Sequence, residues 1–422
     1  MGINGESETI ESLKHNILDI ERDVIYMHIP SKRVYNEMRS EEFSLWCVPA
    51  NGGDEIAFLI KTPTSSIKAL VSGCPMELFF GIKEHYLCIG VQIEDMPDTP
   101  VFICKLQKHS EEHDALMRAL EQRFFPLFLY NEMDVCLAWT NIKISEQNAK
   151  AVKDFLGQVK NFYTGPYVNE TSHVLDCFTY SVDKRNTYPN VQIISTCKID
   201  TNLEKWRILQ NYFYSAHESH SITIDEDNEG EIFERAIWAS LESVFPLTLY
   251  KSPQVKIGDK MRELTDVFSF YPGGSFLIEA KDLSVINAGY HRDQKRRTAG
   301  VQKQVKKAIT QLVGASKAFI RGELIFDAKN NELNVFRKIP PHCIVLITEL
   351  IYWGDWKDIE TQLMEAMKQT GAIFHLLDLN EFISLLKCSS GNPEIIDYNL
   401  VERANLFAKR QSIFIRGQPS KP

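Results

Sequence analysis

The chain has 422 residues, of which 44% are hydrophobic and 24% charged, and its formal net charge at pH 7 is −9. This composition excludes a disordered or fibrous protein and is sufficient for two or three domains, each with its own core. The negative charge argues against a protein that coats nucleic acid indiscriminately, because neutralising phosphates requires a basic face.

The sequence contains no signal for membrane insertion or secretion. No run reaches the roughly 18 to 20 apolar residues that a membrane helix needs, and the N-terminus lacks the basic and apolar regions of a secretory signal. The nine cysteines are scattered singly, which is typical of reduced, buried thiols, and none has the spacing of a zinc site. We therefore expect a cytoplasmic protein with no membrane partner.

Residues 1–215 are predicted to form an α+β domain of recognition or regulatory type. Alternating apolar residues predict strands at 43–48, 55–62, 86–93, 101–107, 125–130, 134–142, 173–182 and 191–199. Helical spacing of apolar residues predicts helices near the N-terminus around Ile10 and at 111–124, 146–163 and 201–216. Ser145 is the predicted N-cap of the third of these helices.

A polar, acidic segment at 216–229 is the predicted linker. It is followed by a second predicted domain at 230–400 and a C-terminal tail at 401–422. Within that domain the predicted elements are a helix at 231–245, a strand at 263–271, a turn at 272–274, a strand at 275–283, a helix at 299–319, a strand at 342–348, a helix at 355–369, a strand at 372–379 and a helix at 381–386. Helices that alternate with apolar strands indicate an α/β domain whose mixed sheet has helices on both faces.

Two carboxylates and a lysine fall close together on the predicted hairpin of this second domain. Side chains alternate along a strand, so Glu279 and Lys281 point the same way. Asp266 lies on the preceding strand, 13 residues before Glu279. The Pro-Gly-Gly turn at 272–274 is of the kind that closes a hairpin and brings the two strands side by side.

This arrangement predicts a metal centre. Two carboxylates on neighbouring strands repel each other and lose hydration unless a cation lies between them, and Mg²⁺ or Mn²⁺ prefers such oxygen ligands. The ion can lower the pKa of a bound water and stabilise charge on a phosphate, while the ammonium group of Lys281 positions that water. The alternative is that Asp266 and Glu279 form surface ion pairs with Lys260 or Lys281.

The same residues resemble the motif of the PD-(D/E)xK nuclease superfamily, which has the restriction-endonuclease-like fold. The resemblance covers about residues 228–350 and does not reach the N-terminal half. It is carried by Glu234, Thr265, Asp266, Glu279, Ala280, Lys281, Gln304 and Gln311. Thr265 stands where the superfamily name has a proline, a position at which members vary.

The resemblance implies a role for each of these positions. The implied metal ligands are Asp266, Glu279 and the backbone carbonyl of Ala280. The residues implied to handle water or phosphate are Lys281, Glu234 and either Gln304 or Lys307.

A basic segment follows the predicted hairpin. In an otherwise acidic chain, a basic patch beside a carboxylate site is expected to hold the phosphates of nucleic acid. The predicted contacts are Arg292, Lys295, Arg296, Arg297, Lys303 and Lys307. The alternative is an ordinary solvated helix face.

Together these observations predict a Mg²⁺-dependent endonuclease that hydrolyses DNA. By analogy with the superfamily we expect a homodimer that acts in restriction or anti-phage defence, with a partner protein or activating ligand bound at the N-terminal domain. An RNA-cleaving effector nuclease and a catalytically silent nucleic-acid-binding scaffold are the alternatives, since a preference for RNA leaves no motif in this sequence.

Overall fold

A computed structural model describes residues 31–50, 53–96, 98–214, 219–224, 229–282, 294–350 and 354–415. The predicted helix around Ile10 lies outside these residues. The described chain is a mixed α/β structure with ten helices and several sheets. Among the described residues, no helix is both long and apolar enough to cross a membrane.

The helices, in chain order, are α1 (Lys32–Ser40), α2 (Thr64–Val71), α3 (Ser110–Gln122), α4 (Glu146–Leu156), α5 (Asn169–Val182), α6 (Glu229–Leu241), α7 (Gln294–Ile320), α8 (Lys357–Thr370), α9 (Leu379–Ser389) and α10 (Pro393–Arg410). The strands are β1 (Ser44–Ala50), β2 (Glu55–Lys61), β3 (Met76–Lys83), β4 (Tyr86–Ile93), β5 (Val101–Gln107), β6 (Phe124–Tyr130), β7 (Cys136–Lys143), β8 (Ser195–Asp200), β9 (Asn202–Leu203), β10 (Arg207–Ile208), β11 (Asn211–Tyr214), β12 (Ser219–Ile222), β13 (Leu249–Lys251), β14 (Gln254–Ile257), β15 (Lys260–Glu263), β16 (Val267–Tyr271), β17 (Gly274–Lys281), β18 (Ile325–Phe326), β19 (His342–Ile347) and β20 (Ile373–Asp378).

The chain divides into two compact units that do not correspond to two continuous stretches of sequence. The first consists of the described residues within 1–62, 76–93 and 102–207, and the second of those within 63–75, 94–101 and 208–422. The chain therefore passes between the units five times.

The first unit contains two sheets. One has the order β1-β2-β6-β7-β10, with β9 also beside β7, and the other has the order β5-β4-β3-β8. Strands β2 and β6 are parallel, whereas β1–β2, β6–β7, β3–β4 and β3–β8 are antiparallel. The predicted N-cap of α4 is confirmed, because the Ser145 hydroxyl accepts a hydrogen bond from the Asn148 amide at 3.1 Å.

Two secondary-structure predictions in this region are wrong. Residues 173–182, predicted as a strand, belong to α5, whose buried side chains Val174, Cys177 and Phe178 follow the period of a helix. Residues 201–216, predicted as a helix, contain β9, β10 and β11. Exposure alternates along β11, which pairs with β12, a strand inside the segment predicted as a linker.

The second unit is built on a five-stranded mixed sheet of order β13-β16-β17-β19-β20. Strand β16 is antiparallel to β13 and β17, and β19 is parallel to β17 and β20. The predicted hairpin is confirmed, because the turn after Tyr271 places that residue opposite Gly274. The mixed sheet expected from the sequence is therefore present in this unit.

Helices pack against both faces of this sheet. On one face Leu277 and Val345 share a core with Val305 and Leu312 of α7 and with Leu363 of α8. On the other face α6 and α9 pack against the sheet.

Two features of this unit leave no local signal in the sequence. Helix α2, which follows β2 of the first unit in the chain, packs into the second unit. There Lys68 donates to Asp282 at 3.0 Å, and Ser65 donates to Glu349 at 3.2 Å. Helix α10 continues past residue 400, the predicted end of the domain, and buries Phe407.

Candidate active site

The hairpin of β16 and β17 positions the first carboxylate of the site. Asp266 immediately precedes β16, and its Oδ2 accepts a hydrogen bond from the Ala280 amide at 2.8 Å. The hydroxyl of Thr265 donates to the carbonyl of Ile278 at 2.7 Å. These two bonds continue the pairing beyond the last paired residues, Val267 and Ile278, and hold Asp266 beside the end of β17.

Lys281 joins the two carboxylates. Its Nζ donates to Asp266 Oδ2 at 2.8 Å and to Glu279 Oε2 at 2.9 Å. All three side chains are largely buried, with 17%, 11% and 3% of the side chains of Lys281, Asp266 and Glu279 exposed. The other oxygen of each carboxylate makes no hydrogen bond to any residue within the described part of the chain.

The carboxylates line a cavity of about 210 Å³. Glu279 lies two residues from Leu277 along β17 and therefore on the sheet face that α7 covers. The lining residues are Val255, Ile257, Arg262, Glu263, Leu264, Thr265, Asp266, Glu279, Gln311, Gly314, Ala315 and Ala318. The carboxylates therefore face open space as well as the core.

The cations beside these carboxylates do not balance the negative charge. Burial, and then Asp266, raise the pKa of Glu279 above its ordinary value, although Lys281 acts in the opposite direction. Burial, and then Asp266, also raise the pKa of Glu234 on α6 to about 7. Burial lowers the pKa of Lys281, but Glu279 and Asp266 outweigh it and the net shift is upward. A further cation would relieve this excess of negative charge.

The structure brings together Asp266, Glu279 and Lys281, with Glu234 close enough to interact electrostatically with Asp266. Gln304 does not line the cavity, whereas Gln311 of the same helix does. Seven residues separate the two glutamines, which is about 10 Å along a helix axis. The sequence analysis assigned a role to Gln304 and none to Gln311, which is the glutamine that lines the cavity.

Two short strands contribute cavity residues that lie outside the motif of the resemblance. Arg262 and Glu263 reach the cavity from β15 and Val255 reaches it from β14, and Glu263 raises the pKa of Glu279 as a weaker contributor after burial, Asp266 and Lys281. Val255 and Ile257 alternate with polar residues and could have predicted β14, whereas β15 has Met261 as its one apolar residue. Nothing in either segment marks which residues face the site.

The predicted nucleic-acid contacts differ in their surroundings. Arg292 lies outside the described residues, and Lys295 and Arg296 are exposed at the start of α7. Arg297 donates to Glu349 at 3.0 Å, so its guanidinium is already engaged in an ion pair. Lys303 and Lys307 are exposed and have no ion-pair partner in the described chain.

Helix α2 supplies a contact next to the strand that carries Glu279 and Lys281. Asp282 directly follows Lys281, and its carboxylate pairs with Lys68 of α2. The side chains of Lys68 and Asp282 are only 7% and 6% exposed. Ser66 of the same helix donates to buried Asp95 at 2.6 Å. Residues 63–75 therefore support the strand that carries the site.

A separate carboxylate cluster lies in the first unit. Glu37, His109 and Glu112 form the one group of three possible metal ligands found among the described residues. Lys105 donates to both carboxylates, at 2.9 and 3.3 Å, and Arg33 donates to them at 3.0 and 2.6 Å. Burial raises the pKa of Glu37, but Lys105 and its other donors lower it to about 2. Two cations already balance two carboxylates here.

No protein-family model, no curated protein and no solved structure matches this chain. The functional argument therefore depends on the geometry and electrostatics of the residues themselves.

Proposed function

We propose that this protein is a metal-dependent nuclease that hydrolyses DNA phosphodiester bonds at the end of β17. The observation that carries the proposal is the bridge from Lys281 to two buried carboxylates that face a cavity. A structural ion pair would be expected to bring these charges into balance, as in the cluster around Glu37. Here the pKa of Glu279 remains raised.

The residues fit a hard divalent cation. Asp266 and Glu279 each have an oxygen that no described residue engages, and carboxylates are the ligands that Mg²⁺ and Mn²⁺ prefer. With the carbonyl of Ala280, they are the proposed ligands. When bound, the ion would supply Lewis-acid stabilisation of phosphate charge and lower the pKa of a coordinated water.

The protein's own groups have separate tasks in this proposal. An ammonium group has three N–H donors, two of which Lys281 uses for the carboxylates. Its third donor is available to orient the attacking water or to stabilise charge on the phosphate. With its pKa near 7, Glu234 can exchange a proton with that water at neutral pH.

The architecture of the second unit is compatible with the restriction-endonuclease-like fold. A hairpin that carries the carboxylates leads into α7 and then into a strand parallel to β17. We propose that fold for this unit and a recognition role for the first, where a partner protein or ligand would license cleavage. By the same analogy we propose a cytoplasmic homodimer that acts in restriction or anti-phage defence.

Cleavage assays test the proposal. The purified full chain is incubated with plasmid, linear duplex and single-stranded DNA, and with RNA, in Mg²⁺, Mn²⁺ or EDTA. We expect DNA cleavage that requires metal and falls at least about 100-fold in Asp266→Asn and in Lys281→Met. Glu365→Gln, on an exposed position of α8, is the control and should retain activity.

A binding measurement is independent of turnover. Mg²⁺ is expected to raise the melting temperature of the wild type and of Glu365→Gln, and not that of Asp266→Asn, because a ligand stabilises only a state that binds it. Cleavage that survives both site substitutions would reject the assignment. Cleavage of RNA alone would change the substrate, and metal binding without cleavage would favour a silent scaffold.

A further inference from the structure

We propose that the cavity beside Asp266 and Glu279 receives one unstacked nucleobase of the substrate, so that the enzyme acts next to an unpaired nucleotide. This inference depends on the proposed nuclease function and specifies its substrate.

The size of the cavity suits one ring system. Its volume is about 210 Å³, compared with roughly 150 Å³ for an apolar cavity that accepts benzene. Pockets for drug-sized ligands begin at roughly 300 Å³. A single base therefore fits the available space.

Small side chains of α7 create this space. Gly314, Ala315 and Ala318 line the cavity from the helix, and Val255 and Ile257 line it from β14. A Cβ atom added at Gly314 meets no other atom within 4 Å. These apolar groups can cover the faces of a flat ring, which gains by leaving water.

The polar lining favours a neutral group over a second phosphate. Arg262 and Gln311 offer hydrogen-bond donors, and Gln311 and Glu263 offer acceptors, a mixture that suits the edge of a base. Three carboxylates, those of Glu263, Asp266 and Glu279, share the cavity with one arginine. With a metal ion held by Asp266 and Glu279, the remaining charges of the lining, those of Glu263 and Arg262, cancel, so the cavity has no net positive charge to hold a second phosphate.

The position of the free lysines indicates how the strand would reach the cavity. Lys303 and Lys307 lie on the same face of α7 as Gly314, because residues spaced by three, four, seven or eleven share a helix face. Both are exposed. Phosphates that follow this face would lead to the metal ligands, with the neighbouring base directed into the cavity.

Calorimetry tests the cavity without requiring cleavage. The full chain in Mg²⁺ is titrated with deoxyadenosine, deoxycytidine and deoxyguanosine 5′-monophosphates and with 2-deoxyribose 5-phosphate, which has no base. We expect at least one nucleotide to bind at least about tenfold more tightly than the sugar phosphate. Gly314→Leu, which fills the cavity, should remove that preference.

The matched control is Gly300→Leu. Gly300 lies in the same helix, about 21 Å away along its axis, and it also has open space around it. Because leucine favours a helix over glycine, neither substitution should unfold α7. Gly300→Leu should keep the preference for a nucleotide, and an equal loss in both variants would overturn the proposal.

Cleavage provides the second arm. Duplex DNA with one unpaired nucleotide should be cut beside it at least about tenfold faster than when that nucleotide is abasic, and Gly314→Leu should abolish the difference. Cleavage with an unchanged base preference in Gly314→Leu would overturn the cavity proposal and leave the nuclease intact. Selective nucleotide binding without any cleavage would support the cavity and reject the nuclease.

Discussion

The carboxylate cluster around Glu37 and the one around Glu279 differ in the number of cations beside them. Glu37 and Glu112 are balanced by Arg33 and Lys105, and the pKa of Glu37 falls to about 2. Asp266 and Glu279 share the single Lys281. The second cluster therefore has fewer cations than carboxylates, which is the basis for proposing a metal ion there.

The raised pKa of Glu234 predicts how cleavage depends on pH. Protons compete with metal and neutralise a general base, so activity in Mg²⁺ should rise with pH through about 7, the pKa of Glu234. In Glu234→Gln this ionisation is absent. A pH profile of kcat/KM for the two proteins should show a rising limb that is steeper in the wild type, and identical limbs would contradict the assignment.

The raised pKa of Glu234 also predicts that, without metal, stability falls as the pH rises. A carboxyl group whose pKa is raised on folding stabilises the fold below its ordinary value of 4.5 and loses that contribution as the pH rises through about 7. In EDTA the melting temperature should therefore fall between about pH 5 and 8, with a smaller fall in Glu234→Gln. Thermal unfolding at a series of pH values measures this.

Local pattern was sufficient to predict the central residues of the site. Glu279 and Lys281 are two apart on a strand, and Asp266 is separated from them by one tight turn, so alternation and a hairpin place them together. Gln304 was chosen over Gln311 because the period of a helix defines a face and not a distance along it. Which turn of α7 lies beside β17 is determined by long-range packing.

At the scale of elements, α7 both lines the cavity and carries exposed lysines. Alanine at Lys307 should weaken DNA binding and reduce the salt dependence of the binding constant by about one phosphate contact, a slope change of roughly 0.9. Lys329→Ala, at an exposed loop lysine, is the control and should change neither quantity. Fluorescence anisotropy in a salt series would detect the difference, and an unchanged slope in Lys307→Ala would exclude this contact.

Helix α2 predicts a second effect at this scale. Lys68→Met removes the lysine that pairs with buried Asp282. Removing one partner of a buried ion pair lowers the free energy of unfolding by roughly 3 kcal/mol, and by less where the remaining charge keeps other partners. We expect reduced stability, and reduced cleavage because Asp282 adjoins Lys281. Adding Asp282→Asn to Lys68→Met should recover stability in urea unfolding, whereas strictly additive losses would show that the pair is not coupled.

Elements were predicted well where one face of a segment is uniformly apolar. Helix α7 and strand β19 are of this kind. Residues 173–182 were misassigned because Val174, Phe178, Tyr180 and Val182 also fall at alternate positions, as they would along a strand. Residues 201–216 were misassigned because Trp206, Leu209 and Phe213 have helical spacing, whereas the pairing of β11 with β12 determines the structure at 211–214.

At the scale of the whole molecule, the two units exchange segments of chain. Contacts such as Lys68 with Asp282 join residues more than 200 positions apart, and no local pattern reports them. The predicted boundary at 216–229 was based on composition alone. It lies near the last of the five crossings, at 207–208, and could not indicate the other four.

This organisation predicts the behaviour of a fragment. Residues 208–422 lack α2 and the 94–101 segment, so Asp282 and Glu349 lose partners that the full chain provides. We expect the fragment to unfold at lower urea concentration than the second unit of the full chain, or to aggregate. Tryptophan fluorescence in a urea series compares them, and equal midpoints would show that α2 contributes no stability.

The crossings of the chain also bear on how the proposed nuclease activity would be controlled. A catalytic module joined by one flexible tether can be active whatever its neighbour binds. Here α2 is continuous with β2 and β3 of the first unit and holds the residue after Lys281. Under the proposed function, a ligand that alters β2 or β3 would act on Asp282, the residue after Lys281, through the continuous backbone that leads into α2.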